Sequence, residues 1–198
     1  MPWFIVEVTD DNDNEKHFAI EADSENEAEH KGVERFRRMY PSSDPWLIDL
    51  PSRVSVPPTI EATAIHETGH AVCAFVLGFV VNGVSVWEEE NGLYRGNMSS
   101  NAYEKPYQHG IVLAAGAAAE KHMYGAYDDS SCFSDRMNID TLGVGLTWDE
   151  AFQEAQKIVE ANWEAVLKFA KVLQERQIIV NAMPALDEIV EHVPDQGE

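Results

Sequence analysis

The apolar positions of the first fifty residues change from an alternating to a helical period. Two short β-branched and aromatic runs, at 3–8 and 17–20, are separated by a polar stretch rich in Asp and Asn, which predicts two strands joined by a turn. Ser24 then precedes a helical pattern with acidic residues in its first turn and arginines near its end, which favours a capped helix. Residues 46–50 predict a third strand. The pattern therefore predicts a small ββα(β) module over residues 1–50.

Beyond this module the pattern becomes mainly helical. Three prolines in residues 51–58 predict a linker, and an Asn-Gly step between two apolar runs indicates a β-hairpin. A capping-box pattern at Thr147 and Glu150 precedes a long amphipathic helix. The predicted elements are helices at 59–77, 107–124, 151–173 and 184–192, and strands at 78–86 and 94–99. Together they predict an α+β fold, in which residues 59–198 form a mostly helical domain with a short sheet.

The charge balance limits the expected partners. Fourteen Lys and Arg residues stand against 35 Asp and Glu, so the formal net charge is −21. A field of this sign repels phosphate groups, which excludes nucleic acid and anionic membrane surfaces as expected partners. No apolar run reaches the roughly 20 residues that span a bilayer, and the first residues lack a signal-peptide pattern. Cys73 and Cys132 are too few for a disulfide framework, so we expect a soluble, cytoplasmic protein.

Residues 66–70, His-Glu-Thr-Gly-His, lie within the predicted helix at 59–77. Positions i and i+4 share one face of a helix, so His66 and His70 can direct imidazole nitrogens at one zinc ion about 2.0–2.1 Å away. Glu67 is then placed to take a proton from water as the water attacks a carbonyl, and to pass that proton to the leaving amine. The pattern predicts a hydrolytic site with one zinc ion. The alternative is a polar helix face with surface histidines.

A catalytic zinc ion usually has three protein ligands, and the residues alone leave the third one open. The pattern with a glycine and a third histidine directly after the motif is excluded, since position 73 is Cys instead of glycine and position 76 is Val instead of histidine. Glu89 and Glu90 lie downstream at the distance of another zinc-peptidase pattern, but beside an Asn-Gly step they favour a solvated turn. Asp135 begins a predicted helix, where its carboxylate either faces a cleft or caps the helix. Glu120 competes as a ligand, although we favour it as the group that orients a histidine.

Three segments, in this order along the chain, resemble the peptidase domain of the FtsH-like family (peptidase family M41). Residues 63–71 (TAIHETGHA) are similar to its zinc-binding helix, and residues 113–120 (LAAGAAAE) to its Gly- and Ala-rich segment. Residues 130–139 (SSCFSDRMNI) are similar to the segment that supplies an aspartate ligand. The resemblance covers residues 60–192. It implies a zinc endopeptidase in which Asp135 completes the metal site with the two histidines.

FtsH-like proteases join this domain to an AAA+ ATPase, whereas this sequence contains no GxxxxGK phosphate-binding pattern. We therefore expect ATP-independent cleavage of peptides, unfolded segments or docked proteins, unless a separate AAA+ ATPase supplies the substrate. The predicted strand at 94–99 is the expected track for an extended peptide, which would add to its edge by β-augmentation. The residues expected along this track are Tyr94, Gly96, Asn97, Met98 and Ser99.

Three functions remain open from the sequence. The chain is a zinc endopeptidase, a zinc-binding interaction protein without turnover, or a partner subunit of an ATP-dependent protease. Glu67 favours the first, because a protein that has lost turnover has no need of the base. Thr68, Ala117 and Lys121 differ from the residues usual in the FtsH-like family, and these differences affect substrate handling more than metal binding.

Overall fold

A computed structural model describes residues 2–90 and 92–190. Within these residues the fold is α+β, with seven α-helices and two small antiparallel sheets, which confirms the mixed class predicted from the sequence. The first part of the chain contains β1 (Trp3–Thr9), β2 (Lys16–Glu21), α1 (Glu25–Met39), β3 (Trp46–Leu47) and β4 (Ser52–Val54). The second part contains α2 (Ile60–Val76), β5 (Val81–Glu88), β6 (Tyr94–Ser100), α3 (Pro106–Tyr124), α4 (Phe133–Thr141), α5 (Trp148–Ala161), α6 (Trp163–Arg176), β7 (Ile178–Val180) and α7 (Met183–Ile189).

β1 is the central strand of the first sheet. β2 pairs with one side of β1, and β3 and β4 pair with its other side at opposite ends. Alternate residues of β1 are buried in a core shared with α1, namely Phe4, Val6 and Val8. α1 begins after Ser24, whose hydroxyl accepts a hydrogen bond from the backbone N–H of Glu27, so the predicted helix cap is confirmed. We call β1 to β4 with α1 the N-terminal module.

The segment predicted as a linker, residues 51–58, includes the strand β4. Val54 lies opposite Trp3 and Ser52 lies opposite Ile5 in an antiparallel pairing with β1. The third strand predicted over residues 46–50 is shorter than expected and ends at Leu47. Both differences have one cause: short edge strands form through a partner distant in sequence, and this partner leaves no local pattern.

α2 is the central helix of the second core. It packs against α3, α5 and α6, and the β5–β6 hairpin lies against another of its sides. Twelve of its 17 residues are buried, so its central turns lie inside the domain and only its two ends reach solvent. The second sheet has the strand order β6–β5–β7, which leaves β6 at an edge. This core and that of the N-terminal module share no residue.

α2 and α3 cross closely because their contact consists of small side chains. A Cβ atom at Gly69 would lie 2.5 Å from the Ala115 carbonyl oxygen and 2.8 Å from the Ala119 Cβ atom. Contacts this short do not occur between real atoms, so Gly69 sets the distance between the two helices.

Three further differences concern the C-terminal part. The single helix predicted over 151–173 is two helices, because Asn162 adopts a non-helical backbone and its side-chain amide donates to the Ile158 carbonyl at 2.8 Å. Strand β7 was not predicted. The last helix, expected at 184–192, ends at Ile189, and positions 191 and 192 lie outside the described residues.

In the described part of the chain, no helix combines the length and apolar character needed to cross a membrane.

Gly69→Ala should lower the free energy of unfolding by about 1–3 kcal/mol, because overpacking at the helix crossing outweighs the better helix propensity of alanine. Chemical denaturation followed by circular dichroism measures this change. Lys171→Ala, on an exposed position of α6, is the control and should change stability by less than about 0.5 kcal/mol. Equal stability of Gly69→Ala and the wild type would show that the crossing can relax.

Candidate metal centre

His66 and His70 lie one turn apart on α2 and face the same point. Their Nε2 atoms are 3.0 Å apart, and their rings meet edge-on at 75°. Both side chains are buried, with 7% and 6% of their surface exposed. The alternative interpretation, in which the two histidines lie on the protein surface, is therefore wrong.

Each histidine uses its other ring nitrogen to contact α3. The Nδ1 atom of His66 is 2.8 Å from the Glu120 carboxylate, and Nδ1 of His70 is 2.7 Å from the Val112 carbonyl oxygen. Since a carbonyl or carboxylate oxygen only accepts, each Nδ1 carries a proton, and the Nε2 atom of a neutral ring has a free lone pair. Two such lone pairs 3.0 Å apart would repel, and a proton or a metal ion shared between them removes that repulsion. The pair is therefore arranged to share one positive charge.

Asp135 completes this group from the first turn of α4. Its Oδ2 atom is 3.7 Å from Nε2 of His66 and 3.6 Å from Nε2 of His70. Donor atoms about 2.0–2.1 Å from a tetrahedral ion are separated from each other by about 3.3 Å, close to all three distances. His66, His70 and Asp135 thus form a group that can bind one metal ion, and the residues fit the ion predicted for them.

The carboxylate of Glu120 is held by more than the histidine. Its Oε2 atom accepts a hydrogen bond from the backbone N–H of Asp128 at 2.8 Å, and its Oε1 atom accepts one from the Ser131 hydroxyl at 3.2 Å. Glu120 is 3% exposed. A carboxylate fixed in this way holds the ring of His66 in one orientation, which is the arrangement predicted for Glu120.

The electrostatics of the group favour positive charge. Burial by itself lowers the pKa of His66, but its contacts with Asp135 and Glu120 outweigh burial and raise that pKa well above its usual value. Burial would raise the pKa of Asp135, yet the nearby histidines hold it below its ordinary value. The carboxylates therefore favour a positive charge in this group, either a proton on the imidazole or a bound cation in its place.

Glu67 lies in the same cleft, against the strand β6. Burial raises the pKa of its carboxyl group above the ordinary value. A Cβ atom at Gly96 would lie 2.3 Å from Cγ and 2.5 Å from Oε1 of Glu67, so only glycine fits on β6 at this point. Gly96, predicted on the peptide track, thus also makes room for Glu67.

A second glycine was not identified from the sequence as part of the site. A Cβ atom at Gly116 would lie 2.5 Å from Nε2 of His66 and 2.6 Å from Nε2 of His70. Any larger residue there would occupy the space in which the two lone pairs meet. Its only sequence signal is its position four residues before Glu120, on the same face of α3.

The group opens into a cleft of about 540 Å³. All residues of β6 from Tyr94 to Ser100 line it, including the five residues predicted along the peptide track. His109, which was not singled out from the sequence, also lines this cleft, and its Nδ1 atom has no hydrogen-bond partner among the residues that the structure describes. Burial lowers the pKa of His109, while the charge of Asp135 acts in the opposite direction.

Two other sets of ligands are less suitable. Glu89 forms an ion pair with Arg95 at 3.3 Å, and among the described residues neither Glu89 nor Glu90 belongs to a group of converging ligand atoms. Cys132, unforeseen from the sequence, lies with His66 and Glu120 in a second such group. Burial raises the pKa of its thiol to about 11, and a metal ligand must be the thiolate. The group with Asp135 is therefore the better metal site.

Protein stripped with a chelator should bind one divalent transition-metal ion per chain, and Asp135→Asn should remove most of this affinity. Asp140→Asn makes the same change of charge on an exposed position of α4 and should bind as the wild type does. Glu120→Gln should weaken binding about 10- to 100-fold, because the His66 ring loses its fixed orientation. Titration with metal followed by calorimetry measures all three. Wild-type affinity in Asp135→Asn would exclude this carboxylate as a ligand.

Comparison with known proteins assigns no family to this geometry. No protein-family model matches the chain, and no curated protein matches it. The chemistry of the cleft therefore has to be inferred from its own residues.

Proposed function

We propose that this chain is a zinc metallopeptidase that hydrolyses peptide bonds without ATP. One observation supports this above all: two buried imidazole lone pairs and the Asp135 carboxylate converge in the cleft that also holds Glu67. The resemblance of three chain segments to FtsH-like peptidases points to the same activity. The absence of a GxxxxGK pattern from the sequence supports independence from ATP.

Zinc is the metal that best suits the donor set. Two neutral imidazoles and one carboxylate are the three protein ligands that catalytic zinc sites use. When bound, zinc lowers the pKa of water and polarises a carbonyl group. The fixed Nδ1 contacts of both histidines direct their lone pairs at the ion.

Glu67 is the proposed general base. Its carboxylate accepts a proton from water as the water oxygen bonds to the carbonyl carbon of the peptide. The C–N bond then breaks, and Glu67 gives the proton to the departing amine. Burial raises the pKa of Glu67, which makes the carboxylate a stronger base than one in water and suits it to both steps.

The edge of β6 is the proposed track for the peptide. The Val86 N–H donates towards the β7 side of β5, to the Gln177 carbonyl at 2.8 Å. Backbone N–H and C=O groups point to alternate sides along a strand, so those of Ser85 point to β6. Ser85 and Asn97, which lie opposite each other, therefore form a hydrogen-bonded pair. Gly96 and Met98 then direct their backbone groups to the open edge. An extended peptide would pair with these two residues.

The proposed substrates are peptides, unfolded segments or a docked protein. A separate AAA+ ATPase that delivers unfolded chains is compatible with this activity. A cytoplasmic location is also part of the proposal, supported by the two free, buried thiols of Cys73 and Cys132.

Glu67→Gln should lower kcat/KM for an unfolded protein such as casein by about 10²- to 10⁴-fold, because the base is lost. Zinc content should stay at one ion per chain. Glu61→Gln, on an exposed position of the same helix, is the matched control and should retain activity. If zinc-loaded wild type and Glu67→Gln were equally inert, the chain would be a zinc-binding interaction protein and the peptidase proposal would fail.

N-methylation of a peptide substrate tests the β6 track without altering the protein. Each methyl group removes one backbone donor and blocks pairing on that side. Methyl groups at alternate positions should reduce kcat/KM about tenfold or more, and those at the intervening positions should have little effect, since only every second residue pairs with the edge. Uniform tolerance of methylation would rule out pairing with β6.

A further inference from the structure

The first sheet has a second face that its own core does not use. Along β1, Phe4, Val6 and Val8 face α1, so Trp3 and Ile5 face the other way. Val54 lies opposite Trp3 in the β1–β4 pairing, and directly opposed residues share a face. Trp3, Ile5 and Val54 therefore lie together on the face turned away from α1.

This second face reaches the candidate metal centre. Ile5 and Val54 line the same cleft as His66 and Glu67. Val56 and Pro57, in the segment that leads from β4 to α2, line it as well. We call Ile5, Val54, Val56 and Pro57 the apolar wall.

The apolar wall is not explained by packing within either core. Among the described residues, neither core cluster includes Ile5 or Val54, whereas Val56 beside them is already buried, with 7% of its surface exposed. Ile5 and Val54 are only half-buried. Their apolar surface is directed into the cleft, where a bound molecule would remove it from water.

The rest of the cleft suits an extended peptide. The open edge of β6 lines it, and so do several carboxylates, those of Glu67, Glu120, Asp128 and Asp135. Within the described part of the chain one arginine lines it, Arg95, and this residue already pairs with Glu89. An acidic side chain would meet like charge here, while an apolar one would find the apolar wall.

We propose that the N-terminal module selects the substrate: its apolar wall binds an apolar side chain of the peptide close to the bond that is cut. This inference rests on the proposed peptidase function and gives the module a role in it. It identifies the substrate class as peptides with an apolar residue beside the cleavage site, in preference to an acidic one. Full burial of a leucine-sized side chain corresponds to about a 10- to 100-fold preference.

The test compares peptides that differ only in having Leu or Asp beside the cleaved bond. Wild-type protein should cleave the Leu peptide about 10- to 100-fold faster in kcat/KM. Ile5→Ser and Val54→Ser should reduce this ratio about tenfold while zinc content and cleavage of the Asp peptide stay unchanged. Leu50→Ser, on an exposed residue of the module outside the cleft, is the control and should leave the ratio unaltered.

A further variant distinguishes loss of the apolar wall from loss of folding. Ile5→Lys places a positive charge in the wall and should raise cleavage of the Asp peptide, a gain that an unfolded protein cannot give. An unchanged Leu-to-Asp ratio in Ile5→Ser, Val54→Ser and Ile5→Lys, each with a native circular dichroism spectrum, would overturn the proposal.

Binding separates this inference from the proposed activity. Zinc-loaded Glu67→Gln should bind the Leu peptide more tightly than the Asp peptide in fluorescence anisotropy, and the additional Ile5→Ser change should remove that difference. If no variant cleaves peptides but this binding preference holds, the proposed peptidase function is wrong, while the inference that the apolar wall selects the peptide is retained. Equal binding of both peptides would overturn the wall whether or not cleavage occurs.

Discussion

The arrangement of this domain depends on two histidine Nε2 atoms held 3.0 Å apart inside the protein. A contact this close is favourable when the two rings share a proton or a metal ion, and each ring is fixed through its opposite nitrogen. α3 provides both fixing contacts, through the Val112 carbonyl and the Glu120 carboxylate. The same helix leaves the space between the rings open at Gly116. Val112, Gly116 and Glu120 are spaced by four residues, so one face of one helix organises the site.

The small residues of α2 and α3 follow from this geometry. The rings of α2 reach the polar groups of α3 only if the two helices approach closely, and Gly69 against Ala115 and Ala119 permits that approach. The Ala- and Gly-rich composition of residues 113–120 is therefore a requirement of the site as well as of helix packing. The small side chains of this segment serve helix packing and the site at once.

The elements that could be predicted from the sequence are those that depend on a short-range pattern of residues. The helix carrying His66, Glu67 and His70, the caps at Ser24 and Thr147, and the β5–β6 hairpin follow from short-range spacing. β4 and β7 were missed, because each pairs with a strand that is distant in the chain. The break at Asn162 was missed because a side-chain hydrogen bond ended an otherwise regular apolar stripe. From the residues alone Asp135 was one of several open candidates for the third ligand, and the resemblance favoured it. Its approach to the histidines is a tertiary contact between α4 and α2, which leaves no local pattern.

The two cores explain how a small module can line the cleft of a larger one. The N-terminal module buries its own apolar side chains between one face of its sheet and α1, so its stability does not require the other face. That other face is free to line the cleft, where Ile5 and Val54 lie near the candidate metal centre, whose possible ligands come from α2 and α4. In the proposed peptidase, changes at the wall would alter which peptide is bound without disturbing these residues. Changes at the α2–α3 crossing would affect the histidines first, because ring orientation and helix separation are set by the same contacts.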